Sequence, residues 1–310
     1  MKRRQFIQKS VYTLPLLSTA SLFSCEQLSF RMGVAQWSFH KSIRSGKMNN
    51  LDFAITAKEK FNIDVVEYVN QFFSDKAKDK NYLSQMKKRS DDFGVTNLLI
   101  MIDDEGSLGD SDKAKRNIAV ENHKKWVEAA QYLGCTSIRV NAQGSSTEEE
   151  VSKYVSESLN SLGAFSKDFG IDVIVENHGG YSSNAQWLVN VIKNANSDNV
   201  GTLPDFGNFC IQSRPDNLSS WGALEGCSKE YDKYKGVEEL LPYARSVSAK
   251  SLNFDVDGNC IEIDFYKMMK VIKGYGYNGY ISIEYEGSSH SEEDGVRLTK
   301  ELLLKSWAQA

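Results

Sequence analysis

From residue 31 onward, short apolar runs rich in Val and Ile alternate with longer stretches whose apolar residues recur at helical spacing. The short runs predict strands at 31–37, 63–68, 95–101, 136–141, 171–176, 200–204, 246–250 and 280–284. The longer stretches predict helices near 51–60, 76–93, 112–133, 147–169, 184–195, 236–243, 264–274 and 292–306. Eight strand–helix units in about 270 residues predict an α/β fold, a single (β/α)8 TIM barrel.

The segment 210–235 is rich in Ser, Gly, Asn and charged residues and follows the sixth predicted strand. It is longer than an ordinary connection between a strand and a helix. We therefore predict a long loop over the carboxyl ends of the strands, within one catalytic domain at residues 25–310.

The first 24 residues differ from the rest of the chain. Basic residues come first, an apolar run from Val11 to Phe23 follows, and the sequence Leu22-Phe-Ser-Cys25 ends the segment. This order predicts a secretory signal, and the adjacent Arg3 and Arg4 are typical of twin-arginine export. Cys25 is then the expected site of a lipid anchor, with export to the periplasm. The alternative is an ordinary cleaved signal followed by an incidental cysteine.

The net charge of the chain limits the kind of molecule that it is expected to bind. The chain has 37 Lys and Arg against 41 Asp and Glu. Four of the basic residues lie in the predicted leader, so the remaining chain has 33 basic residues and a net charge of −8. An acidic surface argues against nucleic acid as a partner. The oligomeric state cannot be inferred from the sequence.

Four cysteines follow Cys25, and none belongs to a Cys-x-x-Cys pair, which argues against a structural zinc site. Cys210 and Cys227 are the one pair considered for a disulfide. We expect free, mostly buried thiols instead.

Three of the predicted strands end on a carboxylate: Glu176, Asp205 within Asp-Phe-Gly-Asn208, and Glu284. The carboxyl ends of the strands carry the active site in barrels of this kind. Buried carboxylates are costly unless a cation holds them, so their convergence points to a cation site.

These residues, in this order along the barrel, resemble the xylose isomerase-like superfamily, which includes ketose 3-epimerases, inosose dehydratases and endonuclease IV. The resemblance implies that Glu176, Asp205 and Glu284 bind a divalent metal, Mn or Mg first and Co or Zn as alternatives. It also implies that Glu176 and Glu284 are catalytic and exchange a proton on the carbon next to a substrate carbonyl.

One position departs from the superfamily pattern. The usual histidine on the seventh strand is replaced by Ser248, and Lys250 lies on the same side of that strand. Ser248 is then a weak fourth metal ligand beside three carboxylates and water, which favours ions that prefer oxygen. Alternatively, Lys250 neutralises the acids and no metal is needed.

Other polar and aromatic residues near the strand ends are candidates for substrate binding. Arg139, deeper in the fourth strand, is expected to offset an acid, and His178 is also a candidate substitute for the missing histidine. The loop histidines have a structural alternative as well. The expected substrate-binding residues are Trp37, His40, Glu67, Asn141, His178, Asn208, Lys250 and Glu286.

Together with the predicted export signal, the resemblance implies an exported, metal-dependent sugar isomerase or epimerase. The expected partner is a small sugar or keto-sugar without phosphate, because no cluster of arginines or glycine-rich helix start would hold a phosphate. The alternatives are a lyase or hydratase acting on 3-keto-glycosides at the same site, and a barrel that binds saccharides without catalysis. An enzyme like endonuclease IV is disfavoured by the few histidines and the acidic surface.

Overall fold

The computed structural model of the chain describes residues 30–213 and 226–310. The predicted export signal at 1–24 and the lipidation site Cys25 lie outside the described residues. Those predictions therefore stay predictions.

Eight parallel strands form a barrel, which confirms the predicted fold class. Neighbouring strands pair in the order β6-β5-β4-β3-β2-β1-β10-β9, and isolated bridges from Thr202 to Ala244 and from Asp205 to Ser248 close the barrel between β6 and β9. The barrel strands are β1 (Arg31–Ala35), β2 (Val65–Val69), β3 (Thr96–Met101), β4 (Ser137–Asn141), β5 (Asp172–Glu176), β6 (Val200–Leu203), β9 (Ser246–Ser251) and β10 (Tyr280–Tyr285).

Helices lie between the strands and cover the outside of the barrel. Several begin at a side chain that accepts backbone N–H groups, such as Asp112 before α4 and Thr147 before α5, as helix starts require. None of the helices in the described part of the chain is long and apolar enough to cross a membrane. The helices are α1 (His40–Arg44), α2 (Phe53–Phe61), α3 (Lys80–Asp92), α4 (Lys113–Leu133), α5 (Glu148–Lys167), α6 (Ala185–Ala195), α7 (Lys233–Leu240), α8 (Phe265–Tyr275) and α9 (Glu292–Gln309).

The apolar core has two parts, one on the outside of the barrel strands and one in the barrel interior. The larger part lies between the strands and the surrounding helices. A smaller cluster forms the apolar part of the barrel interior: Ala35, Val69, Leu99, Met101, Ile174 and Leu203. Since this cluster occupies the interior, the polar inward-facing residues at the carboxyl ends of the strands can form a site above it.

The segment 210–235 differs from the predicted loop. Its described parts contain an antiparallel hairpin of β7 (Cys210–Ser213) and β8 (Cys227–Glu230) and the start of α7. A disulfide joins Cys210 to Cys227 across this hairpin, so the expectation of free thiols is wrong for this pair. Cys135 and Cys260 are free and buried, as expected.

Candidate functional site

A cavity of about 460 Å³ opens at the carboxyl ends of the barrel strands. This volume lies within the range of about 300–1,000 Å³ that is usual for small-molecule sites. The cavity is lined by Trp37, His40, Val69, Gln71, Met101, Asp103, Asp104, Arg139, Asn141, Gln143, His178, Asn208, Lys250, Glu284 and Glu286.

Glu176, Asp205 and Glu284, called the acid triad below, meet at the floor of this cavity. Each offers one carboxylate oxygen, and the three oxygens lie within 4.8 Å of one another. All three residues are buried. Glu176 ends β5 and Glu284 is near the end of β10, while Asp205 follows β6, so the barrel closure between β6 and β9 brings them together.

Lys250 of β9 extends its ammonium group into this acidic cluster. Its Nζ donates a hydrogen bond of 2.8 Å to Asn208 Oδ1. The same atom lies 3.3 Å from Glu286 Oε1, 3.5 Å from Glu284 Oε1 and 4.0 Å from Asp205 Oδ1. A single buried cation thus faces three carboxylates at once.

Arg139 of β4 is the second cation of the site. Its Nη1 donates a 2.8 Å hydrogen bond to Asp103 Oδ1, which also accepts a 2.7 Å bond from Asn141 Nδ2. Its Nε lies 2.9 Å from Glu176 Oε2 without the geometry of a hydrogen bond. The other oxygen of Glu176 accepts a bond of 2.9 Å from Asn208 Nδ2. Arg139 therefore offsets two acids, and its role is electrostatic.

Burial sets the protonation of the acid triad. Loss of solvent raises the pKa of Glu284 well above its ordinary value and that of Asp205 to about 6, and repulsion between the acids adds to both shifts. Burial also raises the pKa of Glu176, although Arg139 opposes that shift. Glu286 differs, because its burial raises the pKa but the attraction of the neighbouring Lys250 outweighs that effect and lowers the pKa. The site thus pairs carboxyls that hold a proton readily with one that stays ionised.

The two histidines of the cavity differ in environment. Burial, with help from Arg139, lowers the pKa of His178 to about 4, so this imidazole is neutral at physiological pH. The ring of His40 stacks on Trp37 with centroids 4.9 Å apart, and its Nδ1 lies 2.7 Å from the carbonyl oxygen of Trp37. His40 and Trp37 together form an aromatic wall at the mouth of the cavity.

Ser248, the expected weak ligand, lies beside the acid triad. Its hydroxyl donates a 2.6 Å hydrogen bond to Asp205 Oδ2 and is buried below the cavity lining. Asp205 Oδ1 accepts the backbone N–H groups of Gly207 and Asn208, each at 2.8 Å. These bonds fix the orientation of the Asp205 carboxylate.

Glu67 is not where the sequence analysis placed it. It was expected near the mouth, but its carboxylate lies inside the barrel, where Ser246 and Ser282 donate bonds of 2.9 and 2.7 Å to Oε1. Strand β2 continues one residue beyond its predicted end, so Val69 reaches the cavity and Glu67 lies one layer below it. The structure therefore does not place Glu67 in the lining of the cavity, where a substrate would meet it.

Several cavity residues are not among the candidates that the sequence suggested. Asp103 and Asp104 lie two and three residues after the end of β3, and Gln71 and Gln143 lie two residues after β2 and β4. Two adjacent acids after a buried apolar strand are the same pattern that identified the triad. The pattern is less evident here because the predicted third strand ends on Met101, which is apolar, and the acids follow only after Ile102.

Comparison with solved structures gives the same fold at low sequence identity. The chain is similar to an apo 3-keto-D-glucoside 4-epimerase from E. coli, with 14% identity, a TM-score of 0.64 and coverage of 88% of this chain and 98% of that one. It is similar to an L-ribulose 3-epimerase at 15% identity and a TM-score of 0.66, with coverage of 90% and 95%. A third similar structure is the IOLI protein with a bound zinc atom, at 13% identity and a TM-score of 0.64, with coverage of 90% and 99%.

No curated protein matches the chain in sequence. The sequence model of one family, described as xylose isomerase-like TIM barrel, matches residues 56–306. This match spans most of the chain and includes the acid triad, Ser248 and Lys250. The protein belongs to the xylose isomerase-like TIM barrel family.

Proposed function

We propose that the protein is a sugar isomerase or epimerase that moves a proton on the carbon next to a carbonyl group of a non-phosphorylated sugar or keto-sugar. The observation that carries this proposal is the convergence of Glu176, Asp205 and Glu284 at the floor of a cavity of sugar size. Structures of two sugar epimerases with the same fold support it.

The charges of the site support a divalent metal. Among the described residues, five carboxylates meet two cations, Lys250 and Arg139, and the acids are Glu176, Asp205, Glu284, Glu286 and Asp103. Glu176 Oε2 is buried and accepts no hydrogen bond within the described residues. An excess of buried negative charge with an unsatisfied oxygen suits a cation. The three carboxylates of the triad would hold it, and an all-oxygen set favours Mn²⁺ or Mg²⁺ over softer ions.

A metal held there would draw electron density from the substrate carbonyl and make the neighbouring carbon more acidic. The protein's own groups do the rest. Lys250 neutralises part of the negative charge of the site. Asn208 links Lys250 to Glu176, because its Oδ1 accepts a hydrogen bond from Lys250 and its Nδ2 donates one to Glu176. Trp37 offers an aromatic face to the sugar ring, and Asn141 and Asp104 line the cavity where sugar hydroxyls need partners.

Proton transfer is assigned to Glu284 and Glu176. Glu284 lines the cavity, and burial raises its pKa, so its protonated form can donate a proton to carbon and its ionised form is a strong base for removing one. Glu176 lies just below the lining, held by Asn208 and beside Arg139. With two carboxyls around one reacting carbon, the ionised one can remove a proton from one side while the protonated one donates its own proton from the other side, which is the requirement for epimerisation.

The cavity favours a neutral substrate. Its lining contains the acids Asp103, Asp104, Glu284 and Glu286. The two cations are already engaged with carboxylates. A phosphate group would meet net negative charge there, so a sugar without phosphate is proposed.

We also propose that the protein acts outside the cytoplasm, with Cys25 as a lipid anchor. The basic and apolar leader supports export. The disulfide between Cys210 and Cys227 is independent support, because disulfides persist in oxidising compartments.

The test combines metal content with isotope exchange. Protein purified without added metal is measured by elemental mass spectrometry, and its keto-sugar substrates are followed by NMR for exchange of carbon-bound hydrogen in D₂O. We expect near-stoichiometric Mn, Mg, Co or Zn, lost in Glu176→Gln, and exchange slowed at least about 100-fold in Glu284→Gln. Glu128→Gln, on the exposed surface of α4, is the matched control and should behave as the native protein. Exchange at the native rate in Glu284→Gln would refute the assignment of that residue.

Two other results of this experiment would support a different function, either a lyase or a non-catalytic saccharide-binding barrel. Release of a glycosyl group from a 3-keto-glycoside, with metal present, would establish a lyase using the same acids. The second candidate is a barrel that binds saccharides without catalysis. Lys250 favours it, because the ammonium group already neutralises part of the negative charge of the triad. Sugar binding without metal and without exchange would establish a saccharide-binding barrel.

A further inference from the structure

A second cavity, called the outer cavity here, adjoins the cavity of the acid triad. It has a volume of about 620 Å³ and lies between the β4–α5 loop, the turn after β5 and the β7–β8 hairpin. Gln143 lines both cavities, and His178 of the first is followed in the chain by Gly179 of the second. A molecule too large for the first cavity would therefore extend past Gln143 into the outer cavity.

We propose that the outer cavity is a subsite for the second sugar of a disaccharide-like glycoside whose first sugar occupies the triad cavity. This inference rests on the proposed function and adds a substrate class to it. The substrate is a glycoside rather than a free monosaccharide.

The chemistry of the outer cavity matches a neutral sugar. Gln143, Asn184 and Gln212 bring three side-chain amides to its wall. The amides of Gln143 and Gln212 make no hydrogen bond to any other described residue, so both their donors and their acceptors are available. Sugar hydroxyls need such mixed partners.

Tyr181 supplies an aromatic face in the same cavity. Its hydroxyl donates a 3.2 Å hydrogen bond to the carbonyl oxygen of Ser146, and its ring packs on Trp187 with centroids 5.9 Å apart. These contacts hold the half-buried ring in one orientation. An oriented aromatic ring beside free amides is the combination that binds the apolar face and the hydroxyls of one sugar ring together.

The hairpin side of the outer cavity is fixed by a covalent link, and the turn after β5 is fixed by a hydrogen bond to the backbone. The disulfide between Cys210 and Cys227 joins the two strands that carry Gln212 and Lys229. On the other side, Ser183 Oγ donates a 2.7 Å bond to the carbonyl oxygen of Asn208, the residue that contacts Glu176 and Lys250. The outer cavity is therefore pre-formed and tied to the triad, so binding there costs little ordering.

The test compares glycosides of different length. The probes are the 3-keto derivatives of methyl α- and β-D-glucoside and of maltose and cellobiose, with binding measured by calorimetry and hydrogen exchange by NMR in D₂O. For at least one disaccharide we expect binding about tenfold tighter than its methyl glycoside. Tyr181→Ala should weaken binding of the disaccharide by about fivefold to tenfold, which removes most of this difference, and should leave the affinity for the methyl glycoside unchanged.

Three variants separate subsite loss from damage to the fold. Tyr181→Phe keeps the ring and should retain the preference within about twofold, while Gln212→Ala should lose part of it. Tyr132→Ala, on the exposed face of α4, removes a tyrosine elsewhere and should change neither affinity. If neither disaccharide binds more tightly than its methyl glycoside, or if neither binds at all, the proposed subsite is refuted.

The failures of the two proposals are distinct. Disaccharide preference without exchange refutes the proposed isomerase or epimerase and leaves the subsite intact. Exchange of the methyl glycosides without disaccharide preference refutes the subsite alone.

Discussion

Ser248 Oγ donates a 2.6 Å hydrogen bond to Asp205 Oδ2 at the point where β9 closes against β6. The hydroxyl thus stabilises the ionised form of a carboxylate that belongs to the acid triad. Ser248 stands where the resemblance implied a histidine ligand. In this protein the serine at that position hydrogen-bonds to Asp205, one of the three carboxylates proposed to hold the metal.

Replacement of Ser248 tests this division of roles. Ser248→Ala should weaken metal binding far less than Glu176→Gln, because it removes a hydrogen bond and not a ligand. Ser248→His should raise the affinity for Zn²⁺ and Mn²⁺ by about tenfold or more, since imidazole is a strong ligand for such ions. Calorimetric titration of metal into stripped protein measures both, with a thermal melt to show that each variant is folded. Loss of metal from Ser248→Ala as complete as from Glu176→Gln would make the serine itself a ligand.

Lys250 should be essential for stability when metal is removed. Its ammonium contacts Glu284, Glu286 and Asn208, and it is almost completely buried. Lys250→Met leaves the carboxylates without their partner, and breaking a buried ion pair in this way costs about 3–5 kcal/mol. Urea unfolding of metal-free protein measures the loss.

Two comparisons give that experiment its control. Lys153→Met on the exposed surface of α5 should leave the free energy of unfolding unchanged. Added Mn²⁺ should stabilise Lys250→Met more than the native protein, because the metal then supplies the missing positive charge. An unfolding free energy of metal-free Lys250→Met equal to that of the native protein would show that the triad does not depend on Lys250.

The sequence predicts the barrel well because its signal is local. Each strand is a short apolar run, each helix has its own periodicity, and the carboxyl ends of parallel strands must meet at one end of a barrel. That geometry alone brings Glu176, Asp205 and Glu284 together, as the structure shows. No knowledge of side-chain packing is needed for this step.

The depth at which a side chain lies inside the barrel is harder to predict, because it depends on where each strand begins and ends. Glu67 shows this, since one additional residue in β2 moves it a layer below the cavity. A register shift between Val66 and Glu67 in the pairing with β3 adds to the displacement. A sequence pattern gives the side of the strand that a residue faces and does not give its layer.

The hairpin and its disulfide depend on distance between chain segments. Cys210 and Cys227 are separated by 17 residues, and only the fold shows that their Cα atoms lie 5.7 Å apart, within bonding range. Spacing along the chain cannot establish that proximity. The same limit explains why the outer cavity, built from three separate loops, is not visible in the sequence.

Thiol labelling should distinguish two kinds of cysteine. Denatured, non-reduced protein should react with a maleimide at Cys135 and Cys260 and not at Cys210 or Cys227, because the latter pair is joined. Reduction should add those two sites. Peptide mass spectrometry of protein secreted to an oxidising compartment measures this. Labelling of all four before reduction would show that the hairpin is not cross-linked there.

Glu67 should make stability depend on pH. Burial raises its pKa from 4.5 to about 7, although Ser282 and Ser246 oppose the shift. Between these values the folded protein holds a proton that the unfolded chain has released, so stability falls as pH rises from about 4.5 to 7. Glu67→Gln removes the ionisation and keeps the shape, and the serine hydroxyls can reorient to accept from its amide. This variant should be more stable than the native protein at pH 8 by about 3 kcal/mol, and the gain should vanish near pH 4.5.

Urea unfolding of both proteins between pH 4.5 and 8 measures that difference. Other buried acids, including Glu284, contribute the same sign, so the informative quantity is the gap between the two curves rather than either slope. Glu128→Gln, exposed on α4, should follow the native curve. Because Glu67 lies below the cavity and not in its lining, Glu67→Gln should also leave the affinity for sugar unchanged. Parallel stability curves for native protein and Glu67→Gln would mean that Glu67 ionises in the folded protein as it does in the unfolded chain, and would refute the raised pKa.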